Sequence, residues 1–95
     1  ELAIKILGDA LYDERENARR AATYGLIAVG QQATETLIKA ANSPLKWIRK
    51  AGMYGLGDAS ELSEKVLETV SNRLESDPSI YVRSVAAGSL GCLGR

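Results

Sequence analysis

Apolar residues recur along this chain at intervals of three and four, the spacing that places them on one face of an α-helix. Strict alternation of apolar and polar residues, which would indicate a half-buried strand, is not sustained anywhere. The pattern therefore predicts an all-α fold. It places six helices over about residues 2–12, 13–29, 31–42, 43–56, 60–75 and 77–90.

Turn-forming residues mark where three of the helices are expected to begin. Asp13, Ser43 and Asp77 each precede an apolar stretch and are predicted to cap the second, fourth and sixth helices. Pro44 and Pro78 follow two of these residues. Since proline lacks a backbone N–H, we place both at the first helical position, where that N–H would have no partner.

Glycine marks the expected ends of helices and also occurs inside them. Gly30 is predicted to end the second helix in a left-handed conformation, with Gly57 and Gly91 closing the fourth and sixth. Other glycines fall inside helices, where each destabilises by about 1 kcal/mol relative to alanine. We expect close helix contacts to compensate at these positions, which are Gly25, Gly52, Gly55 and Gly88.

The second, fourth and sixth predicted helices repeat one sequence pattern. Each copy has an acidic or hydroxyl residue and, at a fixed distance after it, an arginine: Asp13, Ser43 and Asp77, then Arg19, Arg49 and Arg83. The arginines recur with a period of roughly 30 to 35 residues, which is typical of stacked helical modules. We name the repeated helices A and the intervening first, third and fifth helices B, so that the order is B-A-B-A-B-A.

The copy that begins at Asp77 has the pattern Asp-Pro-x-x-x-Val-Arg-x-x-Ala-Ala-x-x-Leu-Gly. This pattern resembles that of HEAT-like repeats, in particular the phycobilisome-lyase type. The resemblance covers essentially the whole chain and implies a right-handed α-α superhelix. It also implies that the repeated arginine reaches an acidic neighbour along the stack, and we expect Arg49 and Arg83 each to bond an Asp, a Ser or a backbone carbonyl at a unit boundary.

The repeat divides the chain into one domain of several units. These are a half repeat over residues 1–12, whole repeats over 13–42 and 43–76, and a half repeat over 77–95. Since the chain does not begin with Met and ends within a unit, we expect it to be a fragment of a longer array. The last helix has an uncharged apolar flank, predicted to be uncovered and able to self-associate, formed by Val82, Val85, Ala86, Leu90 and Leu93.

The composition argues against catalysis and against several kinds of ligand. Histidine is absent, which removes the commonest general base and metal ligand, and Cys92 is the only cysteine. We expect no catalytic residue, no cofactor and no metal site. Twelve basic and twelve acidic residues cancel, which disfavours a nucleic-acid partner, and no apolar run is long enough for a membrane span. A single cysteine fits a reducing, cytoplasmic location.

The remaining hypothesis is a scaffold that binds another protein. The candidate surface is the B-helix face together with two aromatic residues: Glu35, Lys39, Glu61, Glu64, Glu68 and Asn72, with Trp47 and Tyr54. The aromatic residues of the A helices either pack between units or form an exposed patch that anchors a partner. The alternative, implied only by the resemblance, is a part of a bilin lyase or a chromophore or antenna-protein chaperone of photosynthetic organisms.

Overall fold

The computed structural model describes residues 1–94 as six α-helices and one short 3₁₀-helix. No strand occurs within this range, and the predicted all-α fold is confirmed. The 3₁₀-helix, Gly30–Ala33, leads directly from the second α-helix into the third. The α-helices are α1 (Leu2–Ala10), α2 (Glu16–Val29), α3 (Thr34–Ala41), α4 (Lys46–Ala59), α5 (Glu64–Ser76) and α6 (Ile80–Leu93).

The helices pack in two layers. The A helices α2, α4 and α6 lie side by side in one layer, as the sequence repeat predicted. The B helices α1, α3 and α5 form the other layer and contact one another only slightly. The closest pairs across the layers are α1 with α2, α3 with α4 and α5 with α6, so each B helix packs on the A helix that follows it. The division into repeats at residues 13, 43 and 77 stays a prediction.

The hydrophobic core lies between these two layers. It is aliphatic, since the chain has no phenylalanine, and alanines at the contacts let the helices approach closely. Full burial of one large aliphatic side chain stabilises the fold by about 1.5–3 kcal/mol. The large side chains that are fully buried are Leu11, Leu26, Leu37, Met53, Leu56, Val66, Val70 and Val82.

Two glycines make equivalent contacts between the layers. A Cβ at Gly25 would lie 2.8 Å from the side chain of Leu7, and a Cβ at Gly55 would lie 2.6 Å from that of Leu37. Both pairs join a leucine of a B helix to the following A helix, and they occupy equivalent positions in successive repeats. The leucine therefore fills the space that a side chain on the A helix would need, which confirms the expected compensation at these two positions.

Of the two other glycines predicted to lie inside the A helices, Gly52 makes the expected close helix contact and Gly88 does not. A Cβ at Gly52 would lie 2.5 Å from the backbone nitrogen of Ala41, so glycine lets α4 approach the backbone of α3. At Gly88 a Cβ would meet no atom within 4 Å, and the residue is exposed on α6. The prediction of a compensating helix contact is therefore wrong for Gly88.

The A helices begin later than predicted. The predicted caps Asp13, Ser43 and Asp77 precede the helices, and the N-cap residues are Arg15, Leu45 and Ser79. Each predicted cap instead accepts the backbone N–H of the true N-cap residue on its side-chain oxygen, at 2.8, 3.1 and 2.9 Å. This turn satisfies a donor just before the helix, which is why the sequence signal resembled a cap.

The predicted positions of the two prolines change for the same reason. Pro44 and Pro78 lie outside α4 and α6, immediately before the N-cap, and not at the first helical position. The N-cap residues Leu45 and Ser79 keep an extended backbone, with ψ of 122° and 126°. The chain thus bends at the proline, passes through an extended N-cap residue and becomes helical only after it.

Two A helices continue past the glycines that were predicted to end them. α4 runs to Ala59 and α6 to Leu93, so Gly57 and Gly91 are helical residues. Within residues 1–94 only Gly30 has a positive φ, 86°, and its ψ of −143° lies outside the left-handed helical region. Gly30 does end α2, but the chain enters the 3₁₀-helix there instead of forming the predicted left-handed end.

The last helix is better covered than its sequence suggested. Val82 and Ala86 are fully buried in the core, and Val85, Leu90 and Leu93 pack partly against it. The expectation that these residues form an uncovered flank is therefore wrong for Val82 and Ala86. The exposed large apolar residues of α6 are instead Ile80 and Tyr81, at its start.

Candidate functional site

The three repeated arginines share one contact with the backbone. In each, Nη1 donates a hydrogen bond to the carbonyl oxygen of the repeat's acidic or hydroxyl residue, and the arginines are Arg19 (2.9 Å), Arg49 (3.0 Å) and Arg83 (2.7 Å). The bond ties the first turn of each A helix to the preceding connection. It also fixes one side of the guanidinium, so that the direction of its remaining N–H groups is set by the fold. The expected carbonyl contacts of Arg49 and Arg83 are confirmed.

Arg49 makes a second contact, with the acidic residue of the next repeat. Its Nε and Nη2 donate to the two carboxylate oxygens of Asp77 at 2.8 and 3.1 Å, and both side chains are buried. Arg73 adds a longer hydrogen bond of 3.3 Å to the same carboxylate. We call this bidentate pair the Arg49–Asp77 rung. It confirms for Arg49 the expectation that the repeated arginine reaches an acidic neighbour along the stack, whereas Arg19 and Arg83 form no ion pair within residues 1–94.

The rung keeps the carboxyl group of Asp77 ionised. Burial by itself would raise the pKa of Asp77, but the hydrogen bonds from Arg49 and from the backbone of Ser79, with the charges of Arg49 and Arg73, lower it below its usual value. The buried charge is therefore fully paired, which is the condition under which a buried ion pair is tolerated.

Arg19 has the same backbone anchor but no such carboxylate. The repeat after Arg19 opens with Ser43, at the position that Asp77 occupies in the repeat after Arg49. The side chain of Ser43 has no negative charge. Arg19 also donates to the carbonyl of Glu14 at 2.8 Å, again from Nη1. No carboxylate among residues 1–94 lies within ion-pair distance of Arg19, and its Nε and Nη2 have no hydrogen-bond acceptor there.

Asp13, at the other end of the repeat series, is paired locally. Arg15 donates to its carboxylate from Nε and Nη2, both at 3.0 Å, and from the backbone N–H. These hydrogen bonds lower the pKa of Asp13 from 3.8 to about 2. Three equivalent positions thus have three different states: a locally paired Asp13, an uncharged Ser43 and a buried Asp77 that pairs across the stack.

A groove of about 300 Å³ crosses the A-helix layer between α2 and α4. Its charged lining residues are Glu16, Arg19, Arg20 and Lys50, and its aromatic ones are Tyr24, Trp47 and Tyr54. Thr23, Ala51 and Val85 complete it. We call this feature the A-helix groove. Arg19, whose Nε and Nη2 have no hydrogen-bond acceptor among residues 1–94, lines this groove together with the three aromatic residues.

The aromatic residues occupy two recurring positions of the A helices. Tyr24 and Tyr54 are equivalent in successive repeats and meet edge to face, with ring centroids 6.1 Å apart and planes at 80°. Trp47 and Tyr81 are equivalent in the same way, with centroids at 5.9 Å and planes at 37°. All four side chains stay about half exposed. Both alternatives left open by the sequence therefore apply, because the rings pack between units and also form a surface patch.

Charged and polar groups surround two of these rings, those of Trp47 and Tyr54. The ammonium groups of Lys46 and Lys50 lie 4.8 and 5.7 Å from the centroid of the Trp47 ring. The neighbouring Tyr24 hydroxyl, with smaller effects from burial and from Asp58, raises the pKa of Tyr54 above its usual value. Tyr54 therefore stays neutral at physiological pH.

The other predicted binding residues lie on the B helices and their connections. All of them are exposed: Glu35, Lys39, Glu61, Glu64, Glu68 and Asn72. Glu35 pairs with Lys65 of α5 at 3.0 Å, an exposed contact between neighbouring B helices. Trp47 and Tyr54, which were grouped with these residues, lie on α4 in the A-helix layer. The structure thus separates the predicted set into two surfaces.

The binding surface predicted from the sequence did not include two cations of the groove, Arg20 and Lys50. Arg20 and Lys50 occupy equivalent repeat positions, directly after Arg19 and Arg49. Aligning the copies would have shown this pair together with the recurring aromatic positions. What the alignment could not show is that both sets face the same groove, since that depends on how α2 and α4 are rotated against each other.

Other kinds of site find little support in the described residues. Within 1–94 no three side chains of Asp, Glu or Cys come together in a group able to hold a metal ion. None of the helices in the same range combines the length and the apolar character needed to cross a membrane.

The paired helices in two layers, with an arginine and an aromatic position recurring along one layer, define a helical repeat protein. Comparison with family patterns agrees, because the pattern of HEAT repeats matches residues 4–91. The chain therefore belongs to the HEAT repeat family. The match concerns HEAT repeats in general, so the phycobilisome-lyase type stays a prediction. No curated protein matched the sequence.

Proposed function

We propose that this domain is a non-catalytic module that binds another protein, and that the A-helix groove is its principal binding surface. HEAT repeats generally mediate contacts between proteins. The observation that carries the proposal is the exposure of Tyr24, Trp47 and Tyr54 around one groove. Half-exposed aromatic side chains beside an arginine are the residues that contribute most to binding at protein interfaces.

The B-helix face is the second candidate surface and is expected to contribute less. Its six predicted residues are polar or charged and exposed to water. Such side chains contribute little affinity, since each must lose both hydration and conformational freedom on binding. We propose that this face tunes the rate and selectivity of association by its negative charge.

A peptide-display selection on the folded domain tests the assignment. Random peptides are selected on the wild-type chain, and each is then measured against a groove variant, Trp47→Ala with Tyr54→Ala. The matched control is Glu64→Gln with Glu68→Gln on the B-helix face. We expect the selected peptides to lose binding to the groove variant and to keep it with the control. The reverse pattern would move the binding surface to the B helices and contradict the proposal.

The alternative of a bilin lyase part or chromophore chaperone receives less support from the groove. Four of its lining residues are charged, Glu16, Arg19, Arg20 and Lys50, whereas a deep apolar groove would favour a tetrapyrrole. The absorbance spectrum of an added bilin tests this alternative. A shifted spectrum that depends on Trp47 and Tyr54, or covalent attachment of the bilin to an antenna subunit, would favour it over the peptide-binding module.

Self-association and a cytoplasmic location both stay predictions. Self-association is best tested by substitutions at the start of α6, because its large apolar residues Ile80 and Tyr81 are exposed there. Light scattering over a concentration series should show larger species that Ile80→Glu removes. Substitution of Ser89 would be misleading, because its buried hydroxyl donates to the carbonyl of Met53 and the change would disturb the core.

A further inference from the structure

We propose that the A-helix groove binds an acidic partner segment and that Arg19 holds one of its carboxylate side chains. The contact would have the bidentate form that Asp77 has with Arg49. This inference rests on the proposed function, since it names the chemistry of the partner for the same groove. It also accounts for why the repeat series has an arginine at Arg19 without an acidic residue at Ser43.

Arg19 is held ready for such a contact. Its Nη1 donates to the carbonyl oxygens of Asp13 and Glu14 at 2.9 and 2.8 Å, as Nη1 of Arg49 donates to those of Ser43 and Pro44. The backbone thus orients both guanidinium groups in the same way within their repeats. Because less conformational freedom is lost when the donor is already fixed, a carboxylate binds such an arginine more tightly than a mobile one.

The charges around the groove favour an anionic segment. Arg19, Arg20 and Lys50 line it with one opposing carboxylate, Glu16, which lies 3.9 Å from Arg20. Lys46 adds a further cation, 4.8 Å from the centroid of the Trp47 ring. A partner with two or three carboxylates would therefore meet an excess of positive charge. The B-helix face, where acidic residues predominate, would repel the same partner and so help to fix its orientation.

The aromatic lining defines the rest of the partner. Tyr24, Trp47 and Tyr54 offer half-exposed ring faces that bury apolar side chains, so the segment should alternate acidic with aliphatic or aromatic residues. A nucleic-acid strand would also combine negative charge with stacking groups. It is disfavoured because the chain as a whole is neutral, and it is included as an outcome of the test.

Trp47 supplies the signal for the first experiment, because it is the only tryptophan and it lines the groove. The probe is a capped peptide of about ten residues, a length that an extended segment needs to cross two helices, in which Asp and Glu alternate with Leu and Phe. The control probe has Asn and Gln in place of the acids. We expect the acidic peptide to change the Trp47 fluorescence and to bind with an affinity at least about tenfold higher than that of the control peptide. Added salt should lower the affinity for the acidic peptide.

The decisive variants are Arg19→Gln and its equivalent Arg83→Gln. Both remove the same bond to a backbone carbonyl, but only Arg19 lines the groove. Arg19→Gln should weaken the acidic peptide by about tenfold or more while leaving the control peptide unchanged, and Arg83→Gln should change neither. Equal losses in both variants would show that the effect is one of stability and would overturn the assignment of Arg19.

Ser43→Asp gives an independent test, because it restores the acidic residue of the repeat. By the geometry of the Arg49–Asp77 rung, the new carboxylate should occupy Arg19 and compete with the partner. We expect the affinity for the acidic peptide to fall about tenfold and the melting temperature to rise. Adding Arg19→Gln to this variant should then lower the affinity no further. Unchanged peptide affinity in Ser43→Asp would overturn the proposal.

The outcomes separate this inference from the proposed function. The selected peptides could depend on Trp47 and Tyr54 and yet be neutral, or bind the Arg19→Gln variant with unchanged affinity. Either result would overturn the proposal of an acidic partner and leave the proposed binding module intact. A single-stranded oligonucleotide that binds more tightly than the acidic peptide would overturn it in favour of a nucleic-acid partner. Selected peptides that are enriched in Asp and Glu and depend on Arg19 would support both proposals.

Discussion

The step from α2 to α4 and the step from α4 to α6 begin with the same motif and differ in how it is completed. At both, an arginine donates to the carbonyl of the residue that opens its repeat, Asp13 or Ser43. At the second step Arg49 also forms the buried rung with Asp77, whereas at the first step Ser43 offers Arg19 no carboxylate. The same repeated position therefore forms a buried ion pair at one step and has no carboxylate partner within residues 1–94 at the other.

The second step is also the more closely packed. The contact of α4 with α6 is more extensive than that of α2 with α4. A Cβ at Gly57 would lie 2.9 Å from the Cα of Ser89, whose hydroxyl donates to the carbonyl of Met53 at 2.6 Å. Close packing excludes water and makes the pairing of the buried charges obligatory. The comparison shows that equivalent positions of a repeat need not have equal energetic roles, because burial decides the role.

The largest expected effect comes from breaking the rung. Asp77→Ala leaves Arg49 buried beside no carboxylate and should lower the free energy of unfolding by about 3–5 kcal/mol, measured by urea denaturation. The matched control is Asp13→Ala at the equivalent position of the first unit, where the carboxylate is paired locally with the exposed Arg15. A loss as large for Asp13 as for Asp77 would contradict the distinction between the two steps.

The next effect tests the close packing of the second step. Gly57→Ala should destabilise by about 1–3 kcal/mol, because its Cβ would press on the backbone of α6. Gly91 is the equivalent position in the next repeat and has no atom near its missing Cβ. Gly91→Ala should therefore stabilise α6 by about 0.5–1 kcal/mol. Thermal unfolding followed by circular dichroism would measure both, and opposite signs are required.

Asp77, at the second step, should contribute to the pH dependence of stability beside Asp13, whose pKa is also lowered. The folded-state pKa of Asp77 is lowered from its usual 3.8, so its contribution is complete above that value and is lost as the pH falls through the folded-state pKa. Acid unfolding of the wild type should therefore steepen below pH 3.8. Asp77→Asn should be less stable at neutral pH and should show a flatter acid limb. Parallel acid limbs for the two chains would mean that other carboxylates dominate.

The smallest expected effect is that of Ser43→Asp, a substitution that would give the first step the acidic residue that the second step has. Ser43→Asp should raise the free energy of unfolding by about 1 kcal/mol or less, since Ser43 is buried and the cost of desolvating the new carboxylate offsets much of its pairing with Arg19. The gain should disappear when Arg19→Gln is present in the same chain, which a double-mutant cycle would measure. A gain that persists without Arg19 would assign it to the turn before α4 and not to the new pair.

The sequence predicted the repeat, the all-α class and the side-by-side A helices, because helical periodicity and the recurring Arg positions depend only on local spacing. It misplaced the helix ends by a few residues. Asp13, Ser43 and Asp77 accept a backbone N–H in a turn just before the helix, and the residue types that favour this turn also favour a cap. Gly57 was taken for a helix end because nothing in the sequence indicates that Ser89 packs against it.

The candidate site was only partly predictable. Trp47 and Tyr54 were named as binding residues, but the predicted surface centred on the B helices, and Arg19 was named only for its structural place in the repeat. The sequence by itself determined which residues recur and hence which could be equivalent. The tertiary structure decided which of them are buried, paired or open to a partner. The physical reason is that pairing and desolvation depend on the distance between α2, α4 and α6, which local sequence does not specify.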